Sequence, residues 1–252
     1  MLGHSHAMSG LAVGAATLPV VPLESLAAEL TWVVAVGGFA MLPDLDTGGV
    51  TARRFFPRLH GSTIALMWGP LTCLLAELLG RLFGGHRNGS HSILGVLGTG
   101  MVASVLATTY PGRLFLLALA IGLALEALAF AIPGRLEELW PVNLLVSFGT
   151  SWWLLGVPGS ADDRFPLWLP AAVLVGSATH VIGDMVTVGG IPPLWPMSRT
   201  RVSLRLFRTG SAWERRLIAP VLLVGACWLV LTRTGLDAEP VVSVLARWAQ
   251  EP

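Results

Sequence analysis

The chain alternates long apolar runs with short polar knots. The apolar runs cover residues 8–22, 27–42, 62–83, 93–110, 114–132, 140–157, 166–184 and 217–232. Several approach or reach the roughly 20 residues that a helix needs to cross a bilayer. Turns as short as Pro22-Leu23-Glu24-Ser25 and Pro111-Gly112 join neighbouring runs into antiparallel hairpins. The run at 62–83 differs from the others: Gly69-Pro70 interrupts it, and Glu77 and Arg81 stud its second half. Irregular backbone at membrane depth is tolerated only where protein buries it. The pattern therefore predicts an all-α, polytopic transmembrane helical bundle of about seven crossings plus one re-entrant or interfacial helical segment at 62–83. Residues 1–252 read as a single transmembrane domain, with a loop at 197–216 and a short tail at 234–252.

Composition agrees with that picture. Of 252 residues, 54% are hydrophobic and 12% charged, and mean hydropathy is +0.70; soluble domains carry about 25% charge. Net charge is +1, so its distribution says more than its sum. All the basic residues are Arg, which points to a GC-rich, bacterial source. If 62–83 does not cross, one face of the membrane holds Arg53, Arg54, Arg58, Arg81, Arg87, Arg135, Arg199, Arg201, Arg205, Arg208, Arg215 and Arg216. The other holds Arg113, Arg164, Arg233 and Arg247. Arginine concentrates on the cytoplasmic side of membrane proteins, so the crowded face, with the N-terminus and the Arg-rich loop, is expected in the cytoplasm. Cys73 and Cys227 sit in separate apolar runs and read as free thiols. Nothing at the N-terminus has the form of a removable signal peptide.

Four polar knots carry the chemistry: Gly3-His4-Ser5-His6, Pro43-Asp44-Leu45-Asp46-Thr47, His86-Arg87-Asn88-Gly89-Ser90-His91-Ser92, and His180-Val181-Ile182-Gly183-Asp184. Five of the six histidines lie in them, all but His60. Span parity places all four knots on the Arg-rich face. His180 and Asp184, spaced i and i+4, share a helix face. The proline before Asp44-Leu45-Asp46 sets a turn that can aim two carboxylates at one ion. His86 and His91 flank Asn88-Gly89, a spacing that lets both rings fold inward. Imidazole with carboxylate suits Zn²⁺ or Mn²⁺ better than Mg²⁺. Ionisable groups at membrane depth are costly and mark function.

The same blocks resemble a known family. M-x-x-x-S-H-A-x-S-G at the start, L-P-D-L-D, H-R-x-x-S-H-S, and H-x-x-x-D followed by P-x-S-R are similar to the YdjM-type family of inner-membrane, metal-dependent hydrolases. The resemblance runs from about His6 to Glu214. It implies metal ligands His6, Asp44, Asp46, His86, His91, His180 and Asp184, with Arg87 alongside. Gly210-Ser211-Ala212-Trp213-Glu214 is similar to a late family element and adds Glu214. Asn88 stands where the family more often has Gly, and 62–83 is longer and more apolar than the family's usual connector.

The expected activity is hydrolysis, with metal-activated water attacking an ester or phosphoester. Asp44, Asp46 or Glu214 is the expected general base, and Arg87 the expected holder of a phosphate or carboxylate. Position at a cytoplasmic membrane interface favours membrane lipids and other lipid-like, amphiphilic substrates, with no nucleic acid expected. Metal-free lipid phosphatases of the S-R-x(5)-H-x-x-x-D type are excluded, because Leu174 stands where their Arg would be. Asp44-Leu45-Asp46-Thr47 is close in letters to the D-x-D-x-T of aspartyl-nucleophile phosphatases, but that chemistry belongs to a soluble α/β fold. An ion-coupled or metal transporter, drawing on Glu126 and the glycines at 95, 98 and 100, is the main alternative. Against it, transporters usually place their sites at the midplane between repeats. A membrane-anchored regulatory role through the Arg-rich 197–216, facing anionic headgroups, is the third reading.

Overall fold

The computed structural model describes residues 1–46, 64, 67–129, 140–156 and 165–236. Eight α-helices account for most of them: α1 (Gly3–Thr17), α2 (Leu26–Phe39), α3 (Pro70–Leu82), α4 (Ile93–Ala107), α5 (Tyr110–Ala129), α6 (Trp140–Gly156), α7 (Phe165–Val186) and α8 (Ala219–Thr234). Short 3-10 turns at Leu42–Asp46 and Gly89–His91 precede α3 and α4, and a π-turn at Glu214–Ile218 leads into α8. No strand occurs among the described residues; Thr187 with Phe207, and Ile191 with Val202, form isolated bridges. The fold is an all-helical bundle.

Small residues let α1 and α2 approach closely. A side chain on Gly10 would lie 2.6 Å from the Ala40 Cβ and 2.8 Å from the Val36 carbonyl. Trp32 on α2 then closes the pair, donating from Nε1 to the Gly14 carbonyl and to Thr17 Oγ1, each at 3.0 Å. Close backbone packing of this kind is how helices associate where the solvent is itself apolar. Ser25 and Ser92 cap α2 and α4 by accepting from the amides of Ala28 and Gly95, satisfying donors that a helix start leaves bare. Helix α1 packs on α2, α7 and α8, α5 on α2 and α6, and α4 on α7.

Among the described residues, four helical stretches are long and apolar enough to cross a membrane: Leu26–Asp46, Tyr110–Ala127, Leu167–Val186 and Glu214–Thr234. The apolar helix Ile93–Ala107 is shorter. Length and composition of the described residues thus support four of the seven crossings expected from the apolar runs. Helix α1 buries Ser5 and His6, and α6 buries Ser147 and Ser151, so both trade hydropathy for polar groups turned inward.

The excursion between Asp46 and His86 begins and ends in one place, because His86 Nδ1 lies 2.8 Å from Asp46 Oδ1. It therefore adds no net crossing. Its helix α3 has 13 residues, about 20 Å of rise, against a hydrocarbon core of about 30 Å. At its start Trp68 is set among Phe115 and Phe148 and donates to Asn143 Oδ1 at 3.2 Å. Thr72, Cys73, Ala76 and Gly80 turn inward, while Leu71, Leu74, Leu78 and Leu82 face out. Cys73 and Cys227 are both free thiols.

Candidate metal centre

The four knots meet at one end of the bundle. His6 sits in the first turns of α1, Asp44 and Asp46 in the 3-10 turn after α2, His86 to His91 in the chain leading into α4, and His180 with Asp184 in the last turns of α7. One ligand atom from each of His6, Asp44 and His180 falls within 4.8 Å of the others; so it does for Asp44, His86 and His91, and for His91, His180 and Asp184.

The centre of the group is a trio. His91 Nε2 and His180 Nε2 lie 3.1 Å apart, and Asp44 Oδ1 is 3.4 Å from each. Bonds of 2.0–2.2 Å at tetrahedral angles set ligand atoms about 3.3–3.6 Å apart; the two Asp44 distances fall in that range and the His91–His180 distance lies just below it, so the trio is close to the spacing of three ligands on one ion. Asp184 Oδ2 lies slightly farther out, 3.7 Å from His91 Nε2 and 3.9 Å from His180 Nε2.

The far nitrogens fix which atoms face inward. His180 Nδ1 is 2.6 Å from the Ala40 carbonyl, which only an N–H can approach. His91 Nδ1 is 2.8 Å from Ser90 Oγ, and Ser90 in turn donates to Asp46 Oδ2. In their neutral forms both rings therefore present bare Nε2 lone pairs to each other. Two lone pairs at that distance need a shared proton or a cation between them, and Asp44 offers a cation a third donor. Outer hydrogen bonds of this kind are how proteins orient histidine ligands. Burial holds the His91 imidazole below its ordinary pKa, against the opposing pull of Asp44, and so keeps it in the form that can bind metal.

The remaining expected residues fall into supporting places. His6 stacks on His180 with ring centroids 3.7 Å apart, its Nε2 3.3 Å from Asp184 Oδ1. Neither His6 nitrogen has a well-directed hydrogen-bond partner. Arg87 takes a left-handed backbone (φ 58°) that lays its guanidinium along Asp184, with Nη2 3.1 Å from Oδ1 and Nε 3.0 Å from Oδ2. The Met1 amine also contacts Asp184 Oδ1. The expectation that Arg87 holds a substrate anion thus meets a guanidinium already engaged by a carboxylate.

Asp46 Oδ1 lies 2.8 Å from His86 Nδ1, and its Oδ2 accepts from Ser90 Oγ. Glu214 is fully buried, but it accepts the backbone amides of Leu2 at 2.5 Å and Gly210 at 2.7 Å. It clasps the start of α1 to the turn before α8, and both oxygens that a general base would use are occupied. The Ala40 carbonyl is absent from the sequence reading. The only signal for it is the end of α2 ahead of Pro43, where a helix leaves carbonyls without helical partners.

A helical bundle with membrane-crossing spans and a buried His/Asp group at one end defines a polytopic membrane protein that could hold a metal ion. The chain belongs to the YdjM inner membrane protein family, whose model matches residues 1–250. Comparison with curated proteins and with solved structures returned no match.

Proposed function

We propose that the protein is a metal-dependent hydrolase of the inner membrane, cleaving an ester or phosphoester of a lipid-like substrate at the cytoplasmic surface. The observation that carries this reading is the trio His91 Nε2, His180 Nε2 and Asp44 Oδ1, with mutual distances of 3.1, 3.4 and 3.4 Å and both outer nitrogens already bonded away from the centre. Asp184, with Oδ2 3.7 Å from His91 Nε2 and 3.9 Å from His180 Nε2, would supply a fourth ligand, and Arg87 orients it. Zn²⁺ and Mn²⁺ both suit two imidazoles with two carboxylates. Such an ion supplies Lewis acidity and makes water nucleophilic near neutral pH.

His86 is the proton-transfer group. Asp46 accepts its Nδ1–H, which leaves Nε2 at the rim, 3.9 Å from Asp44 Oδ1. A base held by hydrogen bond to a carboxylate, with its other nitrogen open to the reacting atoms, is the usual arrangement for general acid–base work. Asp46 and Ser90 are positioning residues, since they act through His86 and His91.

The inner face is assigned from arginines. Among the described residues, Arg81, Arg87, Arg199, Arg201, Arg205, Arg208, Arg215 and Arg216 lie toward the metal end, and Arg113 and Arg233 toward the other. That bias supports a cytoplasmic site and N-terminus, with α1, α4 and α6 crossing beside the four longer spans. Cysteines placed at Asn88 and Arg199 are expected to react with a membrane-impermeant reagent from one side, and a cysteine at Arg113 from the other. Labelling of Asn88 and Arg113 from the same side would overturn the topology.

Elemental analysis tests the metal directly. Purified protein is expected to carry close to one equivalent, and His91→Ala with His180→Ala to lose it. Less than about a tenth of an equivalent in the unaltered protein, unchanged by the substitutions, would sink the proposal. Chelator-sensitive turnover in a panel of ester and phosphoester lipids is then expected. No turnover, together with solute flux into liposomes, would favour a transporter.

A further inference from the structure

A second cavity lies across α1 from the metal centre. On α1, His4, Ala7, Met8 and Leu11 face it, spaced i, i+3, i+4 and i+7 along one stripe of the helix. Val34 and Gly37 of α2 close one wall, and Ala124 with its neighbours on α5 closes the other. The volume is about 280 Å³. His6 lies off this stripe and faces His180, so one helix separates the two sites.

The cavity has a direction. Gly37 lies next to Ala40, whose carbonyl holds His180, and His4 sits in the first turn of α1. Both mark the end nearest the metal centre, whereas Val34 and Leu11 lie deeper. From His4 to Leu11 the helix rises about 10 Å. Apart from His4 at the mouth, the lining is apolar.

A buried water needs two to four polar partners, and this space offers one. Helices α2 and α5 belong to stretches of membrane-crossing length, so the medium available to fill it is lipid tail. The mouth offers the His4 imidazole where a headgroup would sit, with the Glu214 carboxylate and the exposed Arg215 guanidinium both within electrostatic reach of it.

We infer that the α1–α2–α5 cavity is a binding site for one acyl chain of a membrane phospholipid, with the headgroup at the His4 end. The site stands apart from the metal chemistry, and its test involves no turnover. The full-length protein is placed in phosphatidylglycerol nanodiscs containing a trace of phosphatidylglycerol with a diazirine midway along one chain. After irradiation, adducts are mapped by mass spectrometry.

Met8 and Leu11 are expected to label about tenfold more than Met101, an ordinary outward-facing residue of α4 that is 71% exposed. Filling the cavity with Ala124→Phe is expected to cut labelling at Met8 and Leu11 about tenfold and leave Met101 unchanged. Val34→Phe on the opposite wall gives the same reading if Ala124→Phe does not assemble. Labelling of Met8 and Leu11 no greater than that of Met101, or labelling indifferent to both fillings, overturns the inference.

Discussion

His180 and His86 are both imidazoles beside Asp44, yet they occupy different kinds of place. His180 is fully buried in the last turns of a 22-residue helix, stacked on His6, with its outer nitrogen fixed by a backbone carbonyl. The His86 side chain is 38% exposed, sits in the irregular chain before α4, and is held by Asp46. Asp44 lies between them, with its side chain 15% exposed. The contrast divides the group into an inner half that can hold an ion in fixed geometry and an outer half that water and substrate can reach. Ligands gain from rigidity, because geometry sets affinity, whereas a proton-transfer group has to meet what it acts on.

Four measurements break or sharpen that division. Replacing His180 or His91 by Ala is expected to remove the bound metal almost entirely, with affinity falling more than about 100-fold. Equal metal loss from His86→Ala, read by elemental analysis, would erase the distinction between the halves. His86→Ala is expected instead to keep its metal while turnover drops by about 100-fold or more, seen as a fall in kcat at unchanged metal content.

Asp46→Asn comes next, since it loosens His86 and, through Ser90, His91. Metal affinity is expected to weaken about tenfold, and kcat to fall at saturating metal because His86 loses the carboxylate that holds it in place. A stability loss alone, with affinity and kcat unmoved, would make Asp46 merely structural.

The smallest effect concerns acid. The folded pKa of His91 lies below its ordinary value, so the folded state binds fewer protons than the unfolded chain in the interval between the two values. Stability is complete above the ordinary histidine range and declines as pH falls through that interval. Metal retention should decline in the same direction, because protons compete for imidazole. Thermal unfolding and metal content followed from pH 8 to about 5 check this; a rise in either on acidification would contradict the burial argument.

Much of this was legible in the chain itself. The apolar runs required helices, and the Gly69-Pro70 break with Glu77 and Arg81 beyond it marked 62–83 as different from the others. Span parity brought four distant knots to one face, because an excursion that does not cross returns to where it began. His180 and Asp184 shared a face by helical period alone. These features follow from local geometry and from the bilayer's demand that backbone groups be satisfied within a helix, and neither depends on how helices pack.

Packing decided the rest. Residue type cannot distinguish Asp44 from Asp46, which are two positions apart with the same carboxylate. Only the 3-10 turn and the approach of α4 aim Asp44 at two bare imidazole nitrogens while Asp46 turns to His86 and Ser90. Arg87 and Glu214 carry the charge their expected roles required, but tertiary contacts engage them with Asp184 and with two backbone amides. The number of spans, too, depends on which polar residues turn inward on α1 and α6. A sequence specifies which groups are present and their helical phase; the partner each one faces is a long-range choice, made only when the helices close together.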